Sequence, residues 1–392
     1  MVLEVKGKGT SNAIFVLRML GERGIEMQKD IFLCFIDYEK AFDTVRHKDL
    51  LTVLKRLQIG GKEMRIIRNL YYDQTAAVRV GDELADWVEI KRGVRQGCVM
   101  SPLLFSLYGE IIMREIADLG GVSVGGKNIN NIRYADDTVL IADSEEKLQR
   151  LVERVDAAGE EMGLRINRKK TECMVMSKRT APACNIRVRD EIIKQVDKFK
   201  YLGSMMTVDG RSESEIRQRI GIAKSAFEKM RKLVTNRHIR IETRMRAIKA
   251  YIWSTLLYGC ESWTIGKDME KRLEAFEVWC WRRMMRVSWT ERRTNESIFE
   301  EIGKERELLR TIRRRQMRFL GHVMRREQLE NLSLTGRICG ERGRGRPRVK
   351  YMDGLKKKIG GGWRTGEILQ MTRDRDVWKS MVANVFSDTA LR

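Results

Sequence analysis

Three aspartates have the side-chain type and the spacing for chemistry. Asp136 and Asp137 stand between two apolar runs, and Asp37 directly follows the apolar run from Ile31 to Ile36. Carboxylate oxygens are the ligands that hard divalent cations prefer, and two such cations about 4 Å apart stabilise the attacking and the leaving oxygen of a phosphoryl transfer. A single aspartate at a strand end is usually a surface residue, so the prediction of a two-cation site depends on all three together.

A strand and a hairpin must bring these carboxylates together. Six consecutive apolar residues are typical of a strand buried on both faces, so Asp37 is expected at the carboxyl end of a strand. Residues 132–142 predict a strand, an acidic turn and a second strand, with the aspartate pair at the tip. Residues 101–117 and 144–163 predict helices, the second with a serine cap. This order predicts an α+β layer in which helices cover one side of a sheet.

The charge of the chain predicts a polyanionic partner. Its 392 residues carry a formal net charge of +23, and residues 211–392 hold 43 Lys and Arg against 23 Asp and Glu, a net charge of +20. Clustered cations gain affinity for phosphate backbones by displacing condensed counterions, so we expect nucleic acid. A chain of this length is expected to form two or three domains.

The cysteines and the hydropathy pattern narrow the class of protein. Seven widely spaced cysteines without a CxxC pair predict neither a disulfide framework nor a zinc ribbon, and we expect a reducing compartment. No run approaches 18 consecutive apolar residues and the first residues lack a leader pattern. We therefore expect a soluble protein with no membrane partner.

Beyond Ser212 the sequence predicts helices only. One of them carries Arg313, Arg314 and Arg315 beside an apolar stripe, which predicts a buried apolar face and an outward face that contacts phosphates. Residues 336–362 are rich in Gly and Arg and predict a flexible basic segment. Within it, Arg344-Gly345-Arg346-Pro347 is similar to an AT-hook core, whose arginines enter the minor groove of A·T tracts.

Five motifs carry a family resemblance. In order and spacing they resemble the reverse transcriptase domain of eukaryotic non-LTR (LINE-type) retrotransposons, over about residues 6–330. The motifs are FIDYEKAFDTV (35–45), GVRQGCVMSPLLFSLYGE (93–110), IRYADDTVLIA (132–142), GLRINRKKTECMV (163–175) and FKYLGSMMTVDG (199–210).

The resemblance implies a right-hand polymerase fold of the α+β class. It predicts a palm, which is an antiparallel sheet backed by helices, with partial fingers and an all-helical thumb. The implied domains are a remnant of the fingers at 1–30, the palm at 31–211 with a fingers insertion around 55–95, the basic thumb and further helices at 212–331, and a Gly/Arg-rich tail with a short terminal helix at 332–392.

The resemblance also implies an RNA-directed DNA polymerase that extends a DNA primer on an RNA template with deoxynucleoside triphosphates. Asp37, Asp136, Asp137 and the backbone carbonyl of Tyr38 would ligate two Mg²⁺ ions, for which Mn²⁺ is a possible substitute. Lys170 would protonate the departing pyrophosphate.

Further residues receive binding roles from the same resemblance. Phe42 matches the steric gate that excludes a ribose 2′-hydroxyl, and Gln96 and Gly97 match the segment that lies against the nascent base pair. The other implied contacts are Tyr134 and Ala135 to the nucleotide, Lys8 to nucleic acid, and Tyr201, Leu202 and Gly203 to the primer 3′ end.

Two departures from the family pattern leave alternatives open. The sequence begins close to the Gly7–Thr10 turn, so we expect most fingers strands to be missing, and an endonuclease to act in trans on target DNA. One alternative is therefore a truncated, catalytically inactive protein that binds RNA or DNA. An RNA-dependent RNA polymerase is disfavoured by Ala135, where Gly is expected, and by Phe42. Location in the nucleus and cytoplasm is expected by analogy with the family.

Overall fold

The computed structural model describes residues 9–386 except 327, 344, 346 and 361, and omits the side chain of Trp289. The chain divides into two compact units. The first comprises residues 1–13, 23–202 and 337–342, and the second comprises residues 14–22, 203–336 and 343–392, in each case as far as these residues are described.

Helices and short strands alternate in the first 207 residues, and helices follow. The strands are β1 (Ile31–Ile36), β2 (Thr75–Ala76), β3 (Arg79–Val80), β4 (Glu83–Leu84), β5 (Val88–Glu89), β6 (Val122–Val124), β7 (Lys127–Ile129), β8 (Asn131–Tyr134), β9 (Asp137–Ala142), β10 (Glu172–Met176), β11 (Arg187–Val188), β12 (Glu191–Ile192), β13 (Lys194–Gln195), β14 (Lys198–Tyr201) and β15 (Ser204–Thr207).

The helices begin before β1 and continue to the C-terminal part of the chain. They are α1 (Thr10–Glu26), α2 (Ala41–Thr44), α3 (His47–Arg56), α4 (Gly61–Tyr71), α5 (Ser101–Arg114), α6 (Glu145–Glu161), α7 (Glu213–Lys229), α8 (Arg231–Val234), α9 (Ile241–Ala247), α10 (Ser254–Leu256), α11 (Lys267–Met285), α12 (Asn295–Glu301), α13 (Leu308–Met324), α14 (Leu329–Thr335), α15 (Tyr351–Ile359), α16 (Thr365–Met371) and α17 (Arg375–Val385), with a π-helical turn at Ile248–Trp253.

A five-stranded sheet organises the first unit, in the order β13-β10-β1-β9-β8. β1 lies near its middle and pairs antiparallel with both β9 and β10, while β10 and β13 are parallel. All six residues of β1 are buried. This explains the continuous apolar run, because a strand covered on both faces has no position open to water.

Helices cover one face of this sheet. Phe32, Cys34 and Ile36, which point to the same face of β1, share a hydrophobic core with buried residues of α3, α5 and α6. Side chains alternate between faces along a strand, so Phe35 lies on the other side, where its ring stacks on Phe199 with centroids 3.9 Å apart. The predicted α+β layer, an antiparallel sheet backed by helices, is confirmed.

Most of the predicted elements of this layer are confirmed. The strand 31–36 is β1, and the predicted hairpin is β8 and β9. The predicted helices 101–117 and 144–163 are α5 and α6, and the Ser144 hydroxyl accepts a hydrogen bond from the Lys147 N–H at 3.3 Å. The hydroxyl satisfies an N–H group of the first turn that has no partner within the helix, which fixes where α6 begins.

The second unit is helical and contains two hydrophobic cores. One is formed largely by α7, α9 and α11 with the π-helical turn, around Trp263 and Trp281, which are almost completely buried. In the other, Phe15 and Met19 of α1 pack with Met317, Leu320 and further residues of α13 to α17. Phe15 and Met19, which lie in the segment predicted as a fingers remnant, therefore belong to the same core as the C-terminal helices.

The C-terminal tail differs from its prediction. Three helices, α15 to α17, lie where one short helix was expected, and α15 occupies part of the segment predicted as flexible. Tyr351 and Leu355 of α15 are buried in the core that contains Phe15, so the prediction was wrong because it considered this segment without its partners. Among the described residues, no helix combines the length and apolar character needed to cross a bilayer.

Candidate active site

The backbone of the sheet brings Asp37 close to Asp137. In the antiparallel register of β1 and β9, Ile36 pairs with Thr138, so Asp37, directly after β1, comes beside Asp137, the first residue of β9, and the two carboxylates interact electrostatically. Tyr134 pairs with Asp137 across β8 and β9, which leaves Ala135 and Asp136 as the two loop residues of a tight hairpin. The three aspartates, here called the acidic edge, thus gather at one end of the sheet.

The turn of this hairpin is conformationally strained. Ala135 has a φ of +53°, in the left-handed region where a side chain meets the backbone and glycine is preferred. Such strain persists only where the surrounding structure imposes it, here the pairing of β8 with β9. Arg133, one residue before Tyr134, is buried and forms an ion pair with Glu110 of α5 at 2.7 Å, which fixes β8 to the helix layer.

The acidic edge concentrates like charges. Desolvation, and then repulsion by the carboxylates of Asp136 and Asp37, raise the pKa of Asp137 to about 6. Desolvation and repulsion by Asp37 also raise the pKa of Asp136. The charge of Asp37 therefore disfavours ionisation of both Asp136 and Asp137, and a bound cation would relieve this repulsion.

The loop after β1 is held by the segment that precedes β10. The backbone N–H of Asp37 donates to the Thr171 hydroxyl at 3.2 Å, and the Asn167 N–H donates to the carbonyl of Asp37 at 2.7 Å. In the same segment, the ammonium nitrogen of Lys170 lies 4.0 Å from Oδ2 of Asp37. The structure therefore brings the predicted proton donor to the acidic edge.

The donor chemistry of this edge fits divalent metal ions, which reverse transcriptase domains generally use. In the described part of the chain, no three His, Cys, Asp or Glu side chains form a group that could hold one ion. The edge offers carboxylate oxygens, which hard divalent cations prefer, and a bound cation would relieve the repulsion that helps to raise the pKa of Asp136 and Asp137. The Tyr201 hydroxyl is buried without a hydrogen-bond partner, and its electrostatic neighbour is Asp137.

Tyr38 lies beside the acidic edge. Its side chain is buried, and residue 38 forms an isolated antiparallel bridge with Ile166. Tyr38 and Ala135 also line a small cavity of about 10 Å³ behind the hairpin. The backbone of Tyr38 is therefore held in place, as the predicted ligand role of its carbonyl requires, while Tyr134 remains half-buried at the end of β8.

Phe42, Gln96 and Gly97 belong to two neighbouring segments. The half-buried ring of Phe42 stacks on Phe105 of α5, with centroids 4.9 Å apart, and the Phe42 carbonyl accepts a hydrogen bond from Val94 N–H. The exposed Gln96 donates from Nε2 to a carboxylate oxygen of Asp43 at 3.2 Å. Gly97 has a φ of +83°, and a Cβ there would meet open space, so the turn conformation is what favours glycine.

The predicted primer-supporting motif lies between β14 and β15. Tyr201 is buried, with its ring tilted against Phe35 at a centroid distance of 5.8 Å. Leu202 and Gly203 both have positive φ, +46° and +75°, as a tight turn requires. Tyr201 therefore anchors the turn from inside the protein, and the support of the primer 3′ end by this turn stays a prediction.

Three charged residues hold the chain directly after this turn. Arg18 donates to the Ser204 hydroxyl at 3.1 Å and to the carbonyl of Met205 at 3.0 Å. The buried carboxylate of Glu215 accepts from the Met205 N–H at 2.6 Å and from Arg219 Nε at 2.8 Å. Arg219 also donates to the carbonyl of Gly203. We call Arg18, Glu215 and Arg219 the charged clamp.

Comparison with known proteins decides the family. The family described as reverse transcriptase (RNA-dependent DNA polymerase) matches residues 7–206, which is half of the chain. The chain belongs to this family. The match contains all three aspartates of the acidic edge and the predicted primer-supporting turn.

Relatives of this reverse transcriptase chain include proteins of mobile elements. It is 30% identical over 148 residues to a Pol polyprotein of the type-1 retrotransposable element R2 from Nasonia vitripennis, covering 38% of this chain and 14% of that one. It is 23% identical over 268 residues to the RNA-directed DNA polymerase of the Drosophila melanogaster mobile element jockey, covering 65% of this chain and 28% of that one. The predicted kinship with non-LTR retrotransposon reverse transcriptases is confirmed.

Other relatives differ in how much of them the chain covers. A transposon-derived protein of Caenorhabditis elegans is 26% identical over 276 residues, which is 66% of this chain and 97% of that protein. A solved structure of apo telomerase from Candida tropicalis aligns with a TM-score of 0.41 and 11% identity, covering 84% of this chain and 57% of that one. By contrast, the reverse transcriptase chain spans only 14% of the R2 protein and 28% of the jockey protein.

The predicted phosphate contacts of α13 need correction in this reverse transcriptase. Arg313 is buried, forms an ion pair with Glu270 at 2.9 Å and donates to Gln316 at 3.0 Å, so its prediction was wrong. The guanidinium of Arg314 lies over the ring of Phe386. Of these three arginines, Arg315 alone is exposed. The predicted contacts of Lys8, Arg344 and Arg346 lie outside the described residues.

The charged clamp was missed at the sequence level, although two signals pointed to it. Arg18 interrupts an otherwise apolar run from Ala13 to Leu20, and an isolated cation there is expected to be buried with partners. Glu215 and Arg219 are four residues apart, the spacing at which opposite charges meet on a helix.

Proposed function

We propose that this chain is an RNA-directed DNA polymerase that adds deoxynucleotides to a primer 3′-hydroxyl. The 3′-oxygen attacks the α-phosphorus of the incoming nucleotide, and the bond to the pyrophosphate oxygen breaks. One observation supports the proposal: the pairing of β1 with β9 ends at Ile36 and Thr138, directly beside Asp37 and Asp137, and Asp136 lies in the adjoining turn. Family membership supports the same chemistry.

The acidic edge is proposed to hold two Mg²⁺ ions through Asp37, Asp136, Asp137 and the carbonyl of Tyr38. Bound there, the ions would neutralise the carboxylates and stabilise charge on the attacking and leaving oxygens. The chain itself contributes a backbone that keeps the three carboxylates at one sheet end before any ligand arrives. Because the carboxylates are already placed, less free energy is needed to organise the site when the ions bind.

Phe42 is proposed to select deoxynucleotides. Its ring is fixed by stacking on Phe105, so it cannot turn aside to admit a 2′-hydroxyl. Gln96 and Gly97 are proposed to lie against the nascent base pair, and Tyr134 and Ala135 against the nucleotide. The hydrogen bond between Gln96 and Asp43 joins the two segments.

Lys170 is proposed to hold the proton that the pyrophosphate oxygen receives when its bond to the α-phosphorus breaks. Two observations support this role. Its ammonium group lies beside Asp37, and the backbone around it is tied to β1 through Asn167 and Thr171. An ammonium group held within reach of the leaving oxygen donates the proton without a large rearrangement.

Primer extension on poly(rA)/oligo(dT) with Mg²⁺ tests the proposal. The wild-type chain is expected to incorporate dTMP, and a variant with Asp136→Asn and Asp137→Asn is expected to lose at least about 100-fold in rate, because removed charge weakens metal binding. Asp118→Asn, an exposed aspartate of the same unit, is the matched control and should retain full activity.

Two outcomes would contradict the proposal. Equal incorporation by wild type and the double variant would remove the acidic edge from the chemistry. No extension at any Mg²⁺ or Mn²⁺ concentration, with nucleic-acid binding that persists in EDTA, would support the binding-protein alternative. Target DNA, an endonuclease supplied in trans, and action in the nucleus after synthesis in the cytoplasm remain proposals that this assay does not address.

A further inference from the structure

The hydroxyl of Tyr201 is a buried polar group to which the proposed reaction gives no role. Tyr201 is only 2% exposed, and among the described residues no atom forms a hydrogen bond with its hydroxyl. A buried hydroxyl without a partner costs free energy, so native structures contain few of them. The groups that surround this hydroxyl indicate the partner that it serves.

Strand β14 lies over the face of the sheet opposite α5 and α6. Its residues alternate in exposure: Lys198 and Lys200 are exposed, whereas Phe199 is half-buried and Tyr201 is buried. The ring of Phe199 stacks on Phe35 of β1 with centroids 3.9 Å apart, and the ring of Tyr201 is tilted against Phe35 at 5.8 Å. Phe199 and Tyr201 therefore both point toward the sheet.

The same face of the sheet carries Asp137. Phe35 lies opposite Val139 in the antiparallel pair of β1 and β9, so these two side chains point to one face. Asp137 precedes Val139 by two residues, and side chains two residues apart on a strand share a face. Tyr201 and Asp137 therefore project on the same side of the sheet, near the end at which β9 begins.

Electrostatics connects these two side chains. Burial, and then the negative charge of Asp137, raise the pKa of the Tyr201 hydroxyl. The hydroxyl therefore keeps its proton, and beside a carboxylate it is oriented to donate rather than to accept. Because a carboxylate has two oxygens, Asp137 can accept this hydrogen bond with one oxygen and bind a cation with the other.

We infer that Tyr201 is a positioning residue for Asp137: its hydroxyl donates a hydrogen bond to this carboxylate, directly or through one water molecule, when cations bind at the acidic edge. Hydrogen bonds of this kind fix the orientation of a ligand carboxylate and so strengthen metal binding. The ring contact with Phe35 keeps the donor in place. The inference rests on the proposed function in taking the acidic edge as the cation site.

Two other accounts of Tyr201 lead to different results. If the side chain only fills the core, removal of its hydroxyl should leave cation binding unchanged. If the residue acts only by supporting the primer 3′ end, the same change should raise the KM for primer–template and leave the Mg²⁺ dependence unchanged. Cation binding measured without nucleic acid therefore separates both accounts from the inference.

Electron paramagnetic resonance of Mn²⁺ tests the inference on the full chain without nucleic acid, because the signal of the free ion is lost on binding. Binding that is absent from the variant with Asp136→Asn and Asp137→Asn is assigned to the acidic edge. Tyr201→Phe keeps the ring and is expected to raise the Kd of this binding about tenfold.

Tyr71→Phe is the matched control for this measurement. Tyr71 is also buried with an unpartnered hydroxyl, but it belongs to the core on the helix-covered side of the sheet. The Kd of Tyr71→Phe should stay within about twofold of the wild-type value, because this hydroxyl has no metal ligand to orient. Unfolding in urea with EDTA is expected to show that Tyr201→Phe is at least as stable as the wild type, since the lost hydroxyl has no partner without cations.

Primer extension gives a second measurement of the same effect. For Tyr201→Phe, the Mg²⁺ concentration at half-maximal rate is expected to rise about tenfold, and the rate should recover at saturating Mg²⁺. The KM for primer–template should change little, because the inferred hydrogen bond acts on a metal ligand and not on the primer.

Equal Mn²⁺ affinity of the wild type and Tyr201→Phe would overturn the inference and leave the proposed function standing. A raised KM for primer–template with unchanged Mg²⁺ dependence would overturn it in favour of primer support. An equal loss of Mn²⁺ affinity in both tyrosine variants would also overturn it, in favour of a general loosening of the core. If the wild type binds no Mn²⁺ beyond that of the double aspartate variant, the cation site itself is refuted, and the inference falls together with the proposed function.

Discussion

The acidic edge and a cluster of three arginines at the end of α11 (Arg282, Arg283 and Arg286) both concentrate charge of one sign, but they do so by different means. Backbone pairing of β1, β8 and β9 fixes the aspartates, which are short side chains with little freedom. The arginines are long side chains, and aromatic packing places only some of them, such as Arg283 over the ring of Trp279. The first arrangement fixes the positions of its charged groups, whereas the second leaves them more conformational freedom.

The strongest test of this difference is Asp37→Asn. The amide keeps the shape of the side chain but removes the charge opposite Asp137, so we expect primer extension to fall by about 100-fold or more. Affinity for the RNA–DNA hybrid in EDTA should stay within about twofold, because the Lys and Arg side chains that would contact its phosphates are unchanged. Extension and anisotropy measured on the same preparations check both values. A large loss of binding would show that Asp37 also contributes to binding of the hybrid, so that catalysis and binding are not separated between the two regions.

The second test concerns an arginine that does not bind phosphate. Arg313→Leu should destabilise the chain by about 2 to 3 kcal/mol, because Glu270 and Gln316 lose a buried partner. Urea unfolding measures the loss. Arg318→Leu, an exposed change on the same helix, should stay within about 0.5 kcal/mol, and equal effects would contradict the burial argument.

The third test uses pH. Burial raises the pKa of Glu277 to about 7, although its carboxylate accepts hydrogen bonds from the N–H groups of Glu307 and Leu308. A raised pKa means that the folded state binds the proton more tightly, so this contribution to stability is complete below about pH 4.5 and is lost as pH rises through about 7.

Between pH 5 and pH 8, the unfolding free energy of Glu277→Gln should therefore fall by about 1 to 2 kcal/mol less than that of the wild type. Unfolding in urea at both pH values measures this difference. Glu274→Gln on the same helix, where the side chain is more exposed, is the control. An identical pH dependence in wild type and Glu277→Gln would refute the assignment.

The smallest expected effect is at the charged clamp. Arg219→Lys keeps the charge but loses the planar fork that joins Glu215 to the carbonyl of Gly203, so the turn should loosen. We expect the KM for primer–template to rise about threefold to tenfold, or about 1 kcal/mol, with little change in kcat. Arg217→Lys, an exposed residue of α7, is the control. A fall in kcat alone would place the clamp in the chemistry of the acidic edge.

Local patterns were sufficient to predict the acidic edge. β1 and the β8–β9 hairpin were predictable because each depends on a short stretch of sequence whose alternation or apolar run leaves few options. The nearness of Asp37 to Asp137 depends on the register between β1 and β9. Composition gives no information about this register, whereas the resemblance of the motifs to a known family does.

The helical unit was less predictable, because burial there depends on partners that are distant in sequence. Arg313 and Arg315 lie two residues apart on α13, yet one is buried and the other exposed. Similarly, Tyr351 and Leu355 sit in a basic stretch that gives no sign of a core until α13 and α1 are placed beside it. The cleft that is lined by Arg282, Arg283 and Arg286 also contains Arg231, about 50 residues earlier, so no single window of sequence contains it.

The packing of Phe15 has a consequence for synthesis on the ribosome. Its ring contacts Phe319 and Tyr351, which leave the exit tunnel only after some 300 further residues have been translated. Until then these contacts of α1 cannot form. Folding of this core is therefore expected to finish only after Tyr351 has been translated.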